Sequence, residues 1–147
     1  MANEILDMPN FRLIKNGKWG KLKSSYSYKT RIEGLQLVSP YIILWLDGTL
    51  LVKENFEWNF GSGPAVDTPA MVAASCIHDA LYTLMDLGLL GPEHQRDSDK
   101  TFKDILKLGG TAIFRRYYCY VTVRIFGRSE ERLTEIIKKK LTKVMNK

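Results

Sequence analysis

A histidine and an aspartate stand side by side at positions 78 and 79, and a tyrosine follows the histidine by four residues. They lie in the segment ASCIHDALYTL, which is otherwise mostly apolar and has the pattern of a helix. A buried helix holds titratable side chains at little cost only where they are paired. Because positions i and i+4 share one face, His78 and Tyr82 point the same way, whereas Asp79 is turned by about 100°.

A second aspartate, Asp99, begins the apolar side of the next predicted helix, with Phe102 and Leu106 at helical spacing after it. If the two helices pack antiparallel, Asp99 reaches the face that carries His78 and Tyr82. A carboxylate that accepts a hydrogen bond from one ring nitrogen fixes the tautomer of a histidine and leaves the other nitrogen as a general base. We therefore predict that His78 bonds Asp99 and that Tyr82 donates to the same carboxylate.

A cation site is the second chemistry that these residues suggest. Asp79, on its separate face, is available to bind a cation, and the segment GSGPAV at 61–66 leads into the same helix. Calcium takes several oxygen ligands, many of them backbone carbonyls. The sequence therefore makes Ca²⁺ the expected cofactor, if the protein has one.

The order of these motifs resembles the phospholipase A2 active site, most closely the compact viral version that lacks disulfides. The matching residues are Gly61, Gly63, Pro64 and Asp67, then His78-Asp79-Ala80-Leu81-Tyr82, then Ser98-Asp99-Lys100-Thr101-Phe102. The resemblance implies that His78 activates water, that Asp99 orients His78 and that Tyr82 supports Asp99. It also implies that Asp79 and the carbonyls around Phe60 to Gly63 bind calcium, and it makes Asp67 a supporting residue of the site. The calcium loop departs from the family pattern because Gly61 and Gly63 flank a serine.

A second resemblance covers more of the chain, from about residue 50 to 127. The strings G-S-G-P-A-V-D-T, HDALY-x-L-M, R-x-x-D-x-x-F and Y-x-x-V-R-x-F-G are similar to those of a family of small bacteriophage and prophage proteins, known only as a domain of unknown function. That resemblance implies a phage origin and a location in the host bacterial cytoplasm or the virion. It implies no established activity.

A structural role for the same residues is the alternative. His78 would then be a buried histidine satisfied by Asp99, and Asp79 would pair with Arg96, which stands three residues before Asp99. Arginine–carboxylate pairs are common solutions for buried charge. The protein would be a non-enzymatic virion component or an accessory factor that binds a host target, and His78, Asp79, Tyr82, Arg96 and Asp99 would form a structural polar network.

The elements that position these residues indicate one α+β domain over residues 1–147, with a β-rich portion at 11–60 and a helical portion at 67–147. Turn signals at Asn16-Gly17 and Asp47-Gly48 predict two antiparallel hairpins, and a further strand is expected at about Phe56 to Phe60. The segment YIILWL is apolar enough to be buried on both faces. The predicted helices are listed in order: Asp67 or Thr68 to about Leu87, Asp97 or Ser98 to Leu108, about Thr111 to Phe126, and Ser129 to the C-terminus.

Composition limits the remaining possibilities. The chain has 147 residues, a net charge of +6 and two cysteines, too few for a disulfide framework, so we expect free thiols in a reducing compartment. We expect no membrane span because no apolar run reaches about 18 residues, and no signal peptide because the N-terminal segment MANEILDMPNF has neither a basic nor an apolar signal region. Residues 128–147 hold seven basic and three acidic residues; this amphipathic segment suits packing on the domain, oligomerisation or contact with anionic surfaces. Lipid or a phage or host protein is the expected partner. Nucleic acid is not, because the aromatic residues near Arg115 have the spacing of a core stripe.

Overall fold

The computed structural model describes residues 6–59 and 68–111, together with residues 116, 119, 120 and 124. The described part is an α+β fold with seven strands in two antiparallel sheets and two α-helices that pack against each other. The strands are β1 (Phe11–Ile14), β2 (Trp19–Leu22), β3 (Tyr26–Lys29), β4 (Leu37–Val38), β5 (Ile42–Leu44), β6 (Thr49–Val52) and β7 (Glu57–Asn59). The helices are α1 (Pro69–Asp86) and α2 (Gln95–Leu108), and a short 3₁₀ turn, Pro92–His94, precedes α2.

The strands form a three-stranded sheet in the order β1-β2-β7 and a four-stranded sheet in the order β3-β6-β5-β4. Both predicted hairpins are present, as β1–β2 and β5–β6. The connection in each is four residues long, not two. In the first, Lys15, Asn16 and Gly17 all have positive φ, so the Asn-Gly pair belongs to a wider left-handed turn.

Helix α1 begins and ends where the sequence predicts. The side chain of Thr68 accepts a hydrogen bond from the backbone N–H of Met71, and Pro69 stands in the first turn, which is the usual place for proline. Gly88 follows the helix with a φ of 75°, a conformation that favours glycine and closes the helix. Within α1, small residues such as Ala73, Ala74 and Ala80 are fully buried and let the helix lie close to its neighbours.

Three expectations about the elements need correction. The structure describes two α-helices, not three or four; the predicted third helix is described only at residues 116, 119, 120 and 124, which are helical, and the predicted fourth lies outside the described residues. Helix α2 begins at Gln95, before the predicted caps Asp97 and Ser98, because the 3₁₀ turn leads directly into it.

The third correction concerns YIILWL. Ile42 and Leu44 are buried, whereas Tyr41 and Trp45 are 49% and 41% exposed. The segment therefore has one buried face, as expected for a strand of an antiparallel sheet.

The core lies between the sheets and the helix pair. Helix α1 contacts α2, β7 and β6, and Trp58 of β7 is fully buried, with its indole N–H donating to Ser75 of α1 at 3.1 Å. Among the described residues, no helix is both long and apolar enough to cross a membrane.

Candidate functional site

The two helices lie antiparallel, as the sequence predicts. The start of α1 meets the end of α2, since a Cβ placed on Gly109 would collide with the Cβ of Ala70. The later part of α1, with His78 and Tyr82, meets the first turns of α2, where Asp99 stands. Packing of the helix pair therefore brings three polar side chains from two sequence segments to one place.

The predicted hydrogen bonds between these side chains are confirmed. Nε2 of His78 lies 2.6 Å from Oδ1 of Asp99, and the Tyr82 hydroxyl donates to the same oxygen at 2.6 Å. Asp99 is fully buried and His78 is 8% exposed. Because an ionised carboxylate can only accept, Nε2 of His78 carries the proton in this contact.

The imidazole of His78 is held on its sides by two aromatic rings. Its centroid lies 4.1 Å from that of Tyr82 and 5.3 Å from that of Phe102, which meets it edge-on. Within the described residues, the hydrogen bond of the ring is made through Nε2. Nδ1 is then left as the nitrogen that can take up or release a proton.

Arg124 is a further member of the network that the sequence did not reveal. Its guanidinium Nη1 donates to Oδ2 of Asp99 at 3.0 Å, and the arginine side chain is 38% exposed. Arg124 therefore gives the buried Asp99 a charged hydrogen-bond donor on its second oxygen. The string Y-x-x-V-R-x-F-G contains this arginine, but its position on a predicted third helix gives no indication of which carboxylate it meets.

The tyrosine hydroxyl of the network is held in its neutral form. Burial raises the pKa of Tyr82, and its hydrogen bond to the Asp99 carboxylate raises that pKa further. A phenol that stays protonated remains a hydrogen-bond donor to Asp99. Tyr82 therefore orients the carboxylate and does not itself supply a base.

Asp79 lies on a different face of α1 from His78, as the helical spacing predicts. Its Oδ2 accepts a hydrogen bond from the backbone N–H of Asn59 at 3.2 Å, at the end of β7. The side chain is half-buried. The predicted pairing of Asp79 with Arg96 is wrong: Arg96 is exposed and forms no ion pair with a described residue. The first turn of α2 directs Asp99, not Arg96, toward α1.

The calcium hypothesis depends on Asp79 and on residues that the structure does not describe. A carboxylate oxygen suits calcium, and Asp79 supplies one beside the end of β7. Gly61 and Gly63, which the sequence predicts around the same cation, and the supporting residue Asp67 lie outside the described residues. The described residues hold no cluster of three or more His, Cys, Asp or Glu side chains placed for a metal, so calcium stays a prediction.

Cys76 takes no part in this site. It is fully buried, and burial raises the pKa of its thiol well above the usual range, with the nearby Asp79 adding to the effect. A thiol of that kind is a poor nucleophile because the reactive form is the thiolate. Both cysteines are free, as predicted.

Comparison with protein-family models, with curated proteins and with solved structures finds no match to this chain.

Proposed function

We propose that this protein is a small phage-encoded hydrolase that cleaves a lipid or another ester, with His78 as its general base. The observation that carries the proposal is the hydrogen bond between Nε2 of His78 and the buried carboxylate of Asp99. That bond fixes the tautomer and leaves Nδ1 for proton transfer, which is the arrangement that general-base catalysis by histidine needs. The phage origin and a location in the host bacterial cytoplasm or the virion follow only from the family resemblance.

In the proposed reaction, Nδ1 of His78 takes a proton from a water molecule as the water oxygen attacks the carbonyl carbon of the ester. The imidazolium that forms is stabilised by Asp99, which keeps its charge while the proton moves. When the tetrahedral intermediate collapses, the bond to the alkoxide breaks. Nδ1 then gives its proton to the leaving oxygen, so the histidine is restored.

Tyr82 and Arg124 act as positioning residues in this scheme. Both donate to Asp99 at 2.6 Å and 3.0 Å respectively, and together with His78 they hold both carboxylate oxygens in place. Preorganised donors of this kind need no rearrangement during the reaction. Neither residue needs to touch the substrate.

Asp79 is the residue proposed to hold calcium. When bound, a calcium ion would stabilise the negative charge that develops on the ester carbonyl oxygen. Asp79 sits on a face of α1 separate from the face of His78, so it can bind a cation without breaking the His78–Asp99 contact. Calcium binding has a test that does not depend on activity: the ion should raise the melting temperature of the protein, and Asp79→Asn should abolish that shift.

A hydrolysis assay with matched histidine variants tests the proposal. Purified folded protein is incubated with phosphatidylglycerol vesicles and, separately, with a soluble short-chain ester, with calcium or with a chelator. His78→Gln should reduce hydrolysis to background while the variant keeps its circular dichroism spectrum. His94→Gln removes the other histidine of the chain, which lies in the 3₁₀ turn before α2, and should leave hydrolysis unchanged.

A second candidate function is non-enzymatic, and the burial of the network favours it. Asp99 is fully buried with a donor on each oxygen, and His78 is 8% exposed. A satisfied network of this kind can specify how two helices pack without having any catalytic role. In that case the folded wild-type protein hydrolyses neither substrate, calcium gives no melting shift, and the protein is a virion component or a host-interaction factor.

A further inference from the structure

A pocket of about 320 Å³ lies beside α2, on a face of the helix adjacent to the face that carries Asp99. It is lined by Arg31, Lys100, Lys103, Asp104, Lys107 and Tyr120. His78, Tyr82 and Asp99 do not line it, so the inference drawn from it does not rest on the proposed hydrolase.

The lining has a strong excess of positive charge. Four of its side chains are basic and one is acidic. The acidic one is already engaged, because Arg31 donates to both oxygens of Asp104, from Nε at 2.5 Å and from Nη2 at 2.8 Å. The hydrogen bond to Asp104 also raises the pKa of the Arg31 guanidinium. What remains is a net charge of +3, supplied by three lysines that form no ion pair within the described part of the chain.

The three lysines are placed together by the helix. Lys100, Lys103 and Lys107 stand at i, i+3 and i+7 of α2, which puts them on one face. Lys103 and Lys107 are like charges at i and i+4, an arrangement that destabilises a helix. Lys100 and Lys103 are also half-buried, which weakens their hydration. An anion between them would remove both unfavourable effects.

The volume of the pocket and its aromatic side chain limit the kind of anion that it can bind. A volume of about 320 Å³ lies at the small end of the range of ligand pockets, which is roughly 300–1,000 Å³. Tyr120 contributes an aromatic wall, and Nζ of Lys103 lies 5.0 Å from the centroid of its ring. The ammonium of Lys103 is thereby held at the pocket instead of extending into solvent.

We propose that this pocket binds a phosphomonoester group. Such a group carries a charge of about −1.5 to −2 at neutral pH and three acceptor oxygens, which matches the three lysines that line this pocket better than a singly charged carboxylate does. Lysine binds phosphate as a point charge without the fixed geometry that arginine requires. The phosphomonoester can belong to a small soluble molecule or to the headgroup of a lipid, and the two sources are distinguished by experiment.

Adenosine monophosphate and vesicles of phosphatidylcholine with phosphatidic acid are the two probes. Binding of the nucleotide is measured by calorimetry and by the melting shift, and binding of the vesicles by co-sedimentation against phosphatidylcholine alone. The variant Lys100→Gln/Lys103→Gln/Lys107→Gln removes three charges from the pocket. The variant with arginine at the same three positions keeps them. Lys23→Gln, at an exposed position that does not line the pocket, controls for a general loss of charge.

The triple glutamine variant should bind at least tenfold more weakly, while the arginine variant and Lys23→Gln stay within about twofold of the wild type. Added salt should weaken binding, because the lysines are partly exposed and their attraction is screened. Binding of adenosine monophosphate supports a soluble ligand, and binding of vesicles alone supports a lipid headgroup. Failure of the wild-type protein to bind either probe overturns the proposal, as does a triple glutamine variant that binds like the wild type.

Discussion

Nε2 of His78 and Oδ1 of Asp99 lie 2.6 Å apart, in a hydrogen bond that joins α1 to α2 across 21 residues of sequence. The carboxylate is fully buried, and it also accepts from Tyr82 and Arg124. A buried carboxylate with three donors is costly to disturb, because each donor loses a charged partner when it is removed. The stability of the helix pair and the proposed chemistry of His78 therefore depend on the same residue.

Replacing Asp99 by asparagine should lower the free energy of unfolding. The substitution keeps the shape of the side chain but removes the charge that His78, Tyr82 and Arg124 share. We expect a loss of about 2–3 kcal/mol, since hydrogen bonds to charged groups contribute about 1.5–3 kcal/mol each and Arg124, being 38% exposed, can recover part of its hydration. Urea unfolding followed by circular dichroism measures the change.

Asp97→Asn is the matched control for that experiment. Asp97 stands two residues earlier on α2 and is not part of the Asp99 network. Its replacement should change the free energy of unfolding by no more than about 0.5 kcal/mol, as is usual for substitutions away from buried networks. Equal losses in the two variants would mean that the Asp99 network does not stabilise the fold.

Alkaline pH should destabilise the protein through Tyr82. Burial and the Asp99 carboxylate raise the pKa of Tyr82 above its ordinary value of 10.0. Below pH 10 the phenol is protonated in both the folded and the unfolded chain. As the pH rises above 10, the unfolded chain loses the proton first, so it binds fewer protons than the folded chain and the free energy of unfolding falls.

Tyr82→Phe removes this contribution, so stability should fall less steeply above pH 10 in the variant than in the wild type. The measurement is the urea midpoint as a function of pH on both sides of pH 10. Burial also raises the pKa of Tyr26, so the variant should keep part of the slope. Tyr41→Phe, at an exposed tyrosine, should reproduce the wild-type slope; a Tyr82→Phe curve parallel to the wild type would contradict the linkage.

Local spacing explains why much of this site could be predicted from the sequence. His78 and Tyr82 share a face because they are four residues apart on one helix, and Asp99 stands at the start of the next helix. A short connection between two helices leaves antiparallel packing as the simple solution. Nothing beyond helical geometry and one connection is needed to bring these three side chains together.

The residues that the sequence did not identify depend on tertiary placement. Arg96 is closer than Arg124 to Asp99 along the chain, yet Arg124 makes the ion pair with Asp99. Arg96 does not, because its place in the first turn of α2 leaves it exposed. Arg31 and Asp104 meet across 73 residues, from the segment after β3 to the middle of α2. No periodicity within one element encodes such a contact. The exposed face of YIILWL has the same origin, because only the assembled sheet determines which side is covered.

The contact between Gly20 and Trp58 should appear as a coupling in a double-mutant cycle. Trp58 is fully buried, and a Cβ added at Gly20 would lie 2.8 Å from Cη2 and 2.9 Å from Cζ2 of its ring. Gly20→Ala should therefore cost about 1–3 kcal/mol in the wild type, the usual range for overpacking. Phenylalanine lacks both ring atoms, so the same substitution should cost less in a Trp58→Phe background. Gly34→Ala is the control: nothing lies within 4 Å of the added Cβ and φ is 85°, so it should cost the same in both backgrounds. If the cost of Gly20→Ala is also the same in both backgrounds, the indole ring does not select glycine at position 20.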